Sequence, residues 1–183
     1  MKKKSIKRGL VRPDLKRSNW IYCLFFFSGI SGLIYEVIWT RMLTLVFGHT
    51  IYSVSVVLSA FMAGLGLGSY LWGTTIDKAG KPLLIYGKIE LLIGLTALLL
   101  SFLFSKFSPI YAWFYSWLPD FFFQTGLLKT ALAFSLVLIP TILMGATLPI
   151  MAKYFVTDET HTGKQVGYLY SINTFGAAAG CLL

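Results

Sequence analysis

Five long apolar runs divide the sequence, and each is about as long as a helix that crosses a bilayer. A spanning helix needs ~20 apolar residues, because the hydrocarbon core is ~30 Å thick and each helical residue rises ~1.5 Å. The runs therefore predict an all-α, polytopic transmembrane helical bundle with about five spans. Their predicted limits are residues 20–41, 51–76, 83–104, 127–151 and 165–183.

The composition excludes the main soluble classes of protein. Charged residues make up 13% of the chain and hydrophobic residues 56%, whereas about a quarter of a typical soluble domain is charged. So few charges cannot give a chain of this length a solvated surface, which excludes a soluble enzyme and a disordered regulator. Cys23 and Cys181 lie inside apolar runs, where we interpret them as small hydrophobic residues and not as a disulfide or metal pair.

The basic residues indicate how the helices are oriented. Eight of the 16 Lys and Arg residues lie within residues 1–17, directly before the first apolar run. By the positive-inside rule, residues 1–19 form a cytoplasmic segment that also attracts anionic lipid headgroups. This orientation leaves 13 basic residues on the cytoplasmic side and three outside, namely Arg41, Lys106 and Lys129. No aromatic residue is interleaved with the basic segment, so we expect no nucleic-acid partner.

Two acidic residues lie inside predicted spans and are candidate functional residues. An acid in hydrocarbon costs ~2.5–3.5 kcal/mol, so Glu36 and Glu90 should face protein or water. Glu36 and Arg41 are about 140° apart around a helix and so should have different neighbours. Glu36 has two interpretations. The first is functional, as a proton relay or a substrate contact, and the second is a structural acid that is hydrogen-bonded to another helix. Glu90 lies near the start of the third run, where we expect it to snorkel or to pair near the interface.

Small residues predict where helices approach closely. Gly64 and Gly68 form a small-xxx-small pattern that is typical of helix packing in membranes. Gly29 and Gly32 in the first run are expected to supply a facing surface.

Three further residues interrupt the apolar runs. Pro140 and Pro149 predict kinks in the fourth helix, because proline frees backbone carbonyl groups. Asn173 is polar at the middle of the fifth run and is suited to hydrogen bonds between helices. It joins Glu36, Arg41 and Glu90 as a candidate intramembrane functional residue.

A short polar segment, residues 77–82, separates the second and third runs. Together with the end of the second run it contains Gly73, Asp77, Gly80 and Lys81. Gly80 allows a positive φ at the end of a helix, and Pro82 can begin the next helix without an N–H group. Asp77 can cap or neutralise a neighbouring helix N-terminus.

The sequence contains no set of soluble catalytic residues. It lacks a phosphate-binding loop, zinc-ligand spacing and a nucleophile elbow. His49 and His161 lie on opposite sides of the predicted topology, so they cannot share a metal ion. We therefore expect no cofactor and no metal on this chain.

Four separate motifs resemble the first part of the fused MFS/spermidine synthase family of bacterial membrane proteins. They are residues 28–41 (SGISGLIYEVIWTR), 47–55 followed by 60–69, 140–149 (PTILMGATLP) and 167–177 (GYLYSINTFGA). The segment from Gly73 to Lys81 also resembles the inner-loop signature of the major facilitator superfamily, with lysine where arginine is usual. The resemblance implies a partial MFS-like half in the bacterial inner membrane.

The resemblance also implies a function. Members of the family typically continue into further helices and a synthase domain, whose motifs for the nucleoside and polyamine substrates are absent here. We therefore expect a membrane domain that anchors or supports polyamine-related chemistry carried elsewhere, and no catalysis on these residues alone. Alternatives are a partial MFS-like transporter module for a small metabolite or cation, and a structural fragment that needs further helices or a partner chain. Because the fifth run stops at Leu183, we expect that the chain is truncated there.

Overall fold

The computed structural model describes residues 15–76, 80–106, 109, 122–155 and 162–183, and the described part is helical. Most of the predicted basic segment, Asp77 and His161 lie outside these residues. Each predicted apolar run falls on one of five α-helices. They are α1 (Leu15–Phe47), α2 (Thr50–Thr75), α3 (Pro82–Ser105), α4 (Phe122–Phe155) and α5 (Thr162–Cys181).

Four of the five helices are long and apolar enough to cross a membrane. The qualifying segments are Asn19–Phe47, Thr50–Thr75, Pro82–Ser105 and Gly126–Phe155. The prediction of an all-α membrane bundle agrees with this, and the predicted fifth span is not confirmed. Within the described residues, α5 falls short because polar side chains such as Gln165, Asn173 and Thr174 lower its hydropathy.

The first two helices form an antiparallel hairpin with a very short link. Helix α1 does not end at Arg41, as the apolar run predicts, but continues to Phe47. Gly48 then adopts a φ of 76°, and its N–H group donates a 2.9 Å hydrogen bond to the Thr44 carbonyl. A glycine of this kind ends a helix, because only glycine enters the left-handed region without a steric cost. His49 is extended, and α2 begins at the next residue.

The connection before α3 uses proline instead of a left-handed glycine. Among the described glycines only Gly48 has a positive φ, so the positive φ predicted for Gly80 is wrong. Lys81 lies outside the helical region, with φ −138° and ψ 72°, and Pro82 occupies the first turn of α3. Proline disfavours a helical conformation in the residue before it and begins a helix without needing an N–H partner. Gly73 lies in the last turn of α2.

Helix α4 is central to the packing, since it contacts both α2 and α3, while α5 packs mainly on α1. It continues through Pro140 and Pro149 without interruption. One cluster of buried apolar side chains surrounds Trp39 and Val57, and a second surrounds Phe25 and Ile150.

Glycines on α2 allow its backbone to lie directly against α4. A Cβ atom at Gly64 would overlap the Thr141 hydroxyl, and one at Gly68 would overlap the Ile142 carbonyl oxygen. The surface that faces Gly64 and Gly68 therefore belongs to α4. The expectation that Gly29 and Gly32 supply it is wrong, because Gly29 packs against Asn173 of α5 and a Cβ at Gly32 would meet nothing within 4 Å.

Candidate intramembrane polar site

A polar cavity of about 190 Å³ lies where α1, α3 and α4 meet. We call it the Glu90 cavity. Helix α1 contributes two hydroxyl groups, a glycine and a tyrosine, helix α3 contributes the acid, and helix α4 contributes one methionine. The lining residues are Ser28, Ser31, Gly32, Tyr35, Glu90, Ile93, Gly94 and Met144.

A direct hydrogen bond connects the first and third helices at this cavity. The Ser28 hydroxyl donates to Glu90 Oε1 at 2.7 Å. One turn earlier, the rings of Phe25 and Tyr86 meet edge to face with their centroids 6.2 Å apart. Because both pairs advance in the same direction along the chain, α1 and α3 are parallel at this contact. Tyr86 precedes Glu90 by four positions and therefore lies on the same face of α3.

Glu90 lies about two turns from the start of α3. It follows Pro82, the first residue of α3, by eight residues, which corresponds to about 12 Å along the helix axis. Ser28 follows Asn19, the first residue of its apolar segment, by nine residues, or about 13.5 Å. Glu90 therefore pairs with another helix about a third of the way along α3, and the expectation that it snorkels or pairs near the interface stays a prediction.

The remaining polar groups of the cavity leave acceptor oxygens available. Ser31 donates its own hydroxyl hydrogen to the Phe27 carbonyl at 3.0 Å, so its oxygen can accept from the cavity. The Tyr35 ring stacks on Trp39 with a centroid separation of 5.7 Å. Trp39 is fully buried, which holds this side of the cavity in place.

Glu36 and Arg41 lie outside the cavity. Glu36 is half-buried, and we find no hydrogen bond or ion pair to it from any residue that the structure describes. Arg41 is exposed and does not pair with Glu36. Both interpretations of Glu36 therefore stay open.

Asn173 lies at a different contact, where α5 packs on α1. A Cβ atom at Gly29 would overlap the Asn173 carbonyl oxygen and would lie 3.0 Å from its Oδ1. Gly176 and Gly180 continue this contact against the backbone of Phe26 and Ile30. The structure thus places the four predicted functional residues at separate positions and does not combine them into one site.

Sequence reasoning missed Ser28, Ser31 and Tyr35 as partners of the acid. A signal for them was present, because these residues are spaced by three and four positions within an apolar run. This spacing places them on one helix face. The residue that completes the site, Glu90, is 62 positions from Ser28 in the sequence.

No protein-family model, curated protein or solved structure matches the chain. In the described part of the chain, no three His, Cys, Asp or Glu residues are grouped closely enough to hold a metal ion. The chemistry of the Glu90 cavity must therefore be inferred from its own groups. A carboxyl group beside hydroxyl oxygens, inside an apolar bundle, is suited to accept hydrogen bonds from a small cation.

Proposed function

We propose that the chain is a multi-pass membrane module that binds a small cationic metabolite in the Glu90 cavity. The observation that carries this proposal is the Glu90 carboxyl group, which lines a cavity between helices about a third of the way along α3 and accepts a hydrogen bond from Ser28 of another helix. The family resemblance supports a spermidine synthase-like protein whose membrane domain anchors or supports polyamine-related chemistry carried elsewhere. The excess of basic residues before the first run supports a cytoplasmic N-terminus in the bacterial inner membrane.

The charges around Glu90 favour a cationic ligand. A carboxylate inside a membrane protein requires a partner, because burial of an uncompensated charge is costly. Within the described residues, no Lys or Arg forms an ion pair with Glu90. The nearest in sequence, Lys88, is exposed and lies two positions away, on a different face of the helix. A small ammonium ion would neutralise the carboxylate and donate to the oxygens of Ser28 and Ser31.

The position of the cavity also favours a second candidate function. Substrate sites of secondary transporters lie near the middle of the membrane, between helices. Glu90 and Ser28 lie between two helices of the bundle, which supports a partial MFS-like transporter module for a small metabolite or cation. The two candidates share the binding site and differ in whether the bound cation crosses the membrane.

Ligand binding to the purified protein in lipid nanodiscs tests the shared site. The probe is 1,4-diaminobutane, and its neutral analogue 1,4-butanediol is the control ligand. Glu90→Gln should raise the Kd for the diamine about tenfold or more, because removal of one partner from a buried charge pair costs ~2 kcal/mol or more. Glu36→Gln removes an acid that lies outside the cavity. A change in the Kd of less than about twofold would favour its interpretation as a structural acid, and a larger loss would favour a substrate contact.

An uptake measurement decides between the two candidates, and two results of the binding experiment would contradict both. Saturable uptake of the diamine into proteoliposomes, lost in Glu90→Gln, would support the transporter module. Binding without uptake would support the anchoring or supporting role. If Glu90→Gln binds the diamine as tightly as the original protein, or if the diol binds equally well, the proposed function is wrong.

A further inference from the structure

The Glu90 cavity extends along α1 and α3 from the pair of Glu90 and Ser28. Ile93 and Gly94 follow Glu90 by about one turn of α3, and Ser31 and Gly32 follow Ser28 by about one turn of α1. Met144 of α4 lines the same space. A cation whose charged group contacts Glu90 would therefore place its apolar part along these residues, over about 5.4 Å for one helical turn.

Two glycines line this space, one on α1 and one on α3, and neither is needed for close contact between helices. A Cβ atom at Gly32 of α1 or at Gly94 of α3 would meet nothing within 4 Å. By contrast, a Cβ at Gly29, Gly64 or Gly68 would overlap a neighbouring helix. Glycine weakens a helix relative to alanine. At Gly32 and Gly94 the missing side chain leaves open space in the cavity instead of allowing helices to touch.

We propose that Gly32 and Gly94 determine the width of the Glu90 cavity and so restrict it to compact, unbranched cations. This inference rests on the proposed function, because it presumes that a cation binds to Glu90. A methyl group added at either glycine would occupy the space that the apolar part of the ligand needs. A branched ligand would need the same width beside the charged group and would be excluded by the existing walls.

Two isomeric amines test the width directly. n-Butylamine and tert-butylamine have the same formula and the same charge and differ only in branching. We expect the original protein in nanodiscs to bind n-butylamine about tenfold more tightly, since one misplaced methyl group in a pocket has an effect of this size. Gly94→Ala should raise the Kd for n-butylamine about tenfold, and Gly32→Ala should do the same from the opposite helix if Gly94→Ala does not fold.

Gly87→Ala is the matched control. Gly87 lies on α3, a Cβ there would also meet nothing within 4 Å, and it does not line the cavity. This variant should bind n-butylamine like the original protein. The inference is wrong if both amines bind equally, or if the cavity variants behave like Gly87→Ala, while Glu90→Gln still loses binding. If Glu90→Gln keeps full binding, the proposed function fails and this inference fails with it.

Discussion

The Ser28 hydroxyl donates a 2.7 Å hydrogen bond to the Glu90 carboxyl group, and this bond joins two parallel helices that are separated by a third in the sequence. A hydrogen bond to a charged group is worth more than one between neutral groups, since it satisfies a group that is costly to bury. In an apolar bundle, the bond therefore fixes both the position of the acid and the register of α1 against α3.

Removal of the Ser28 hydroxyl should destabilise the protein measurably. We expect Ser28→Ala to lower the free energy of unfolding by about 1.5–3 kcal/mol, the range for hydrogen bonds to charged groups. Ser31→Ala is the control, because Ser31 lies one turn away and donates to the backbone of its own helix. Thermal unfolding in detergent measures both variants. Equal midpoints for the two would show that the bond between Ser28 and Glu90 adds nothing to stability.

The contact between α2 and α4 should tolerate no side chain at Gly68. Its Cβ would overlap the Ile142 carbonyl oxygen, a backbone atom that cannot rotate away. We expect Gly68→Ala to destabilise the protein by about 1–3 kcal/mol, as overpacking typically does. Gly66→Ala is the matched control on the same helix, since a Cβ there would meet nothing within 4 Å. A thermal midpoint of Gly68→Ala that is no lower than that of Gly66→Ala would contradict this packing.

The glycine contacts of α5 predict that the local stability of this helix depends on its packing against α1. Gly176 lies against the backbone of Phe26, and α5 has few other contacts in the described bundle. Gly176→Ala should therefore loosen α5 selectively and increase hydrogen exchange across residues 162–181, with little change in α2. Gly167→Ala, whose Cβ would meet nothing within 4 Å, should exchange like the original protein. Uniform exchange changes in all helices would contradict a local role.

The sequence predicts the helices well because their signal is local. Each apolar run is long enough to be recognised without knowledge of its neighbours, and all five coincide with a helix. The runs do not reveal that α5 is less apolar than the other four, because a count of apolar residues overlooks the weight of Gln165 and Asn173. Helix α1 continues past Arg41 because a single exposed cation does not end a helix.

The candidate site is harder to predict because it depends on contacts between distant segments. The sequence identifies Glu90 as an intramembrane acid, but its partner Ser28 is 62 positions away, and only the fold brings them together. The glycines show the same limit. The sequence treats Gly29 and Gly32 alike, but Gly29 lies against Asn173, whereas a Cβ at Gly32 would meet nothing within 4 Å.

Gly48 and Gly80 provide the clearest test of where the backbone requires glycine. Of these two glycines, Gly48 has a positive φ. A Cβ at either glycine would meet nothing within 4 Å, so backbone conformation alone distinguishes them. Gly48→Ala should lower the free energy of unfolding by about 1–2 kcal/mol, the cost of the left-handed region for other residues. Gly48→Asn should cost less, because asparagine tolerates this region.

Gly80→Ala should be neutral or slightly stabilising, because alanine reduces the freedom of the unfolded chain. Thermal unfolding of the three variants in detergent measures these differences, and a larger loss in Gly80→Ala than in Gly48→Ala would overturn the assignment of the tight turn to Gly48.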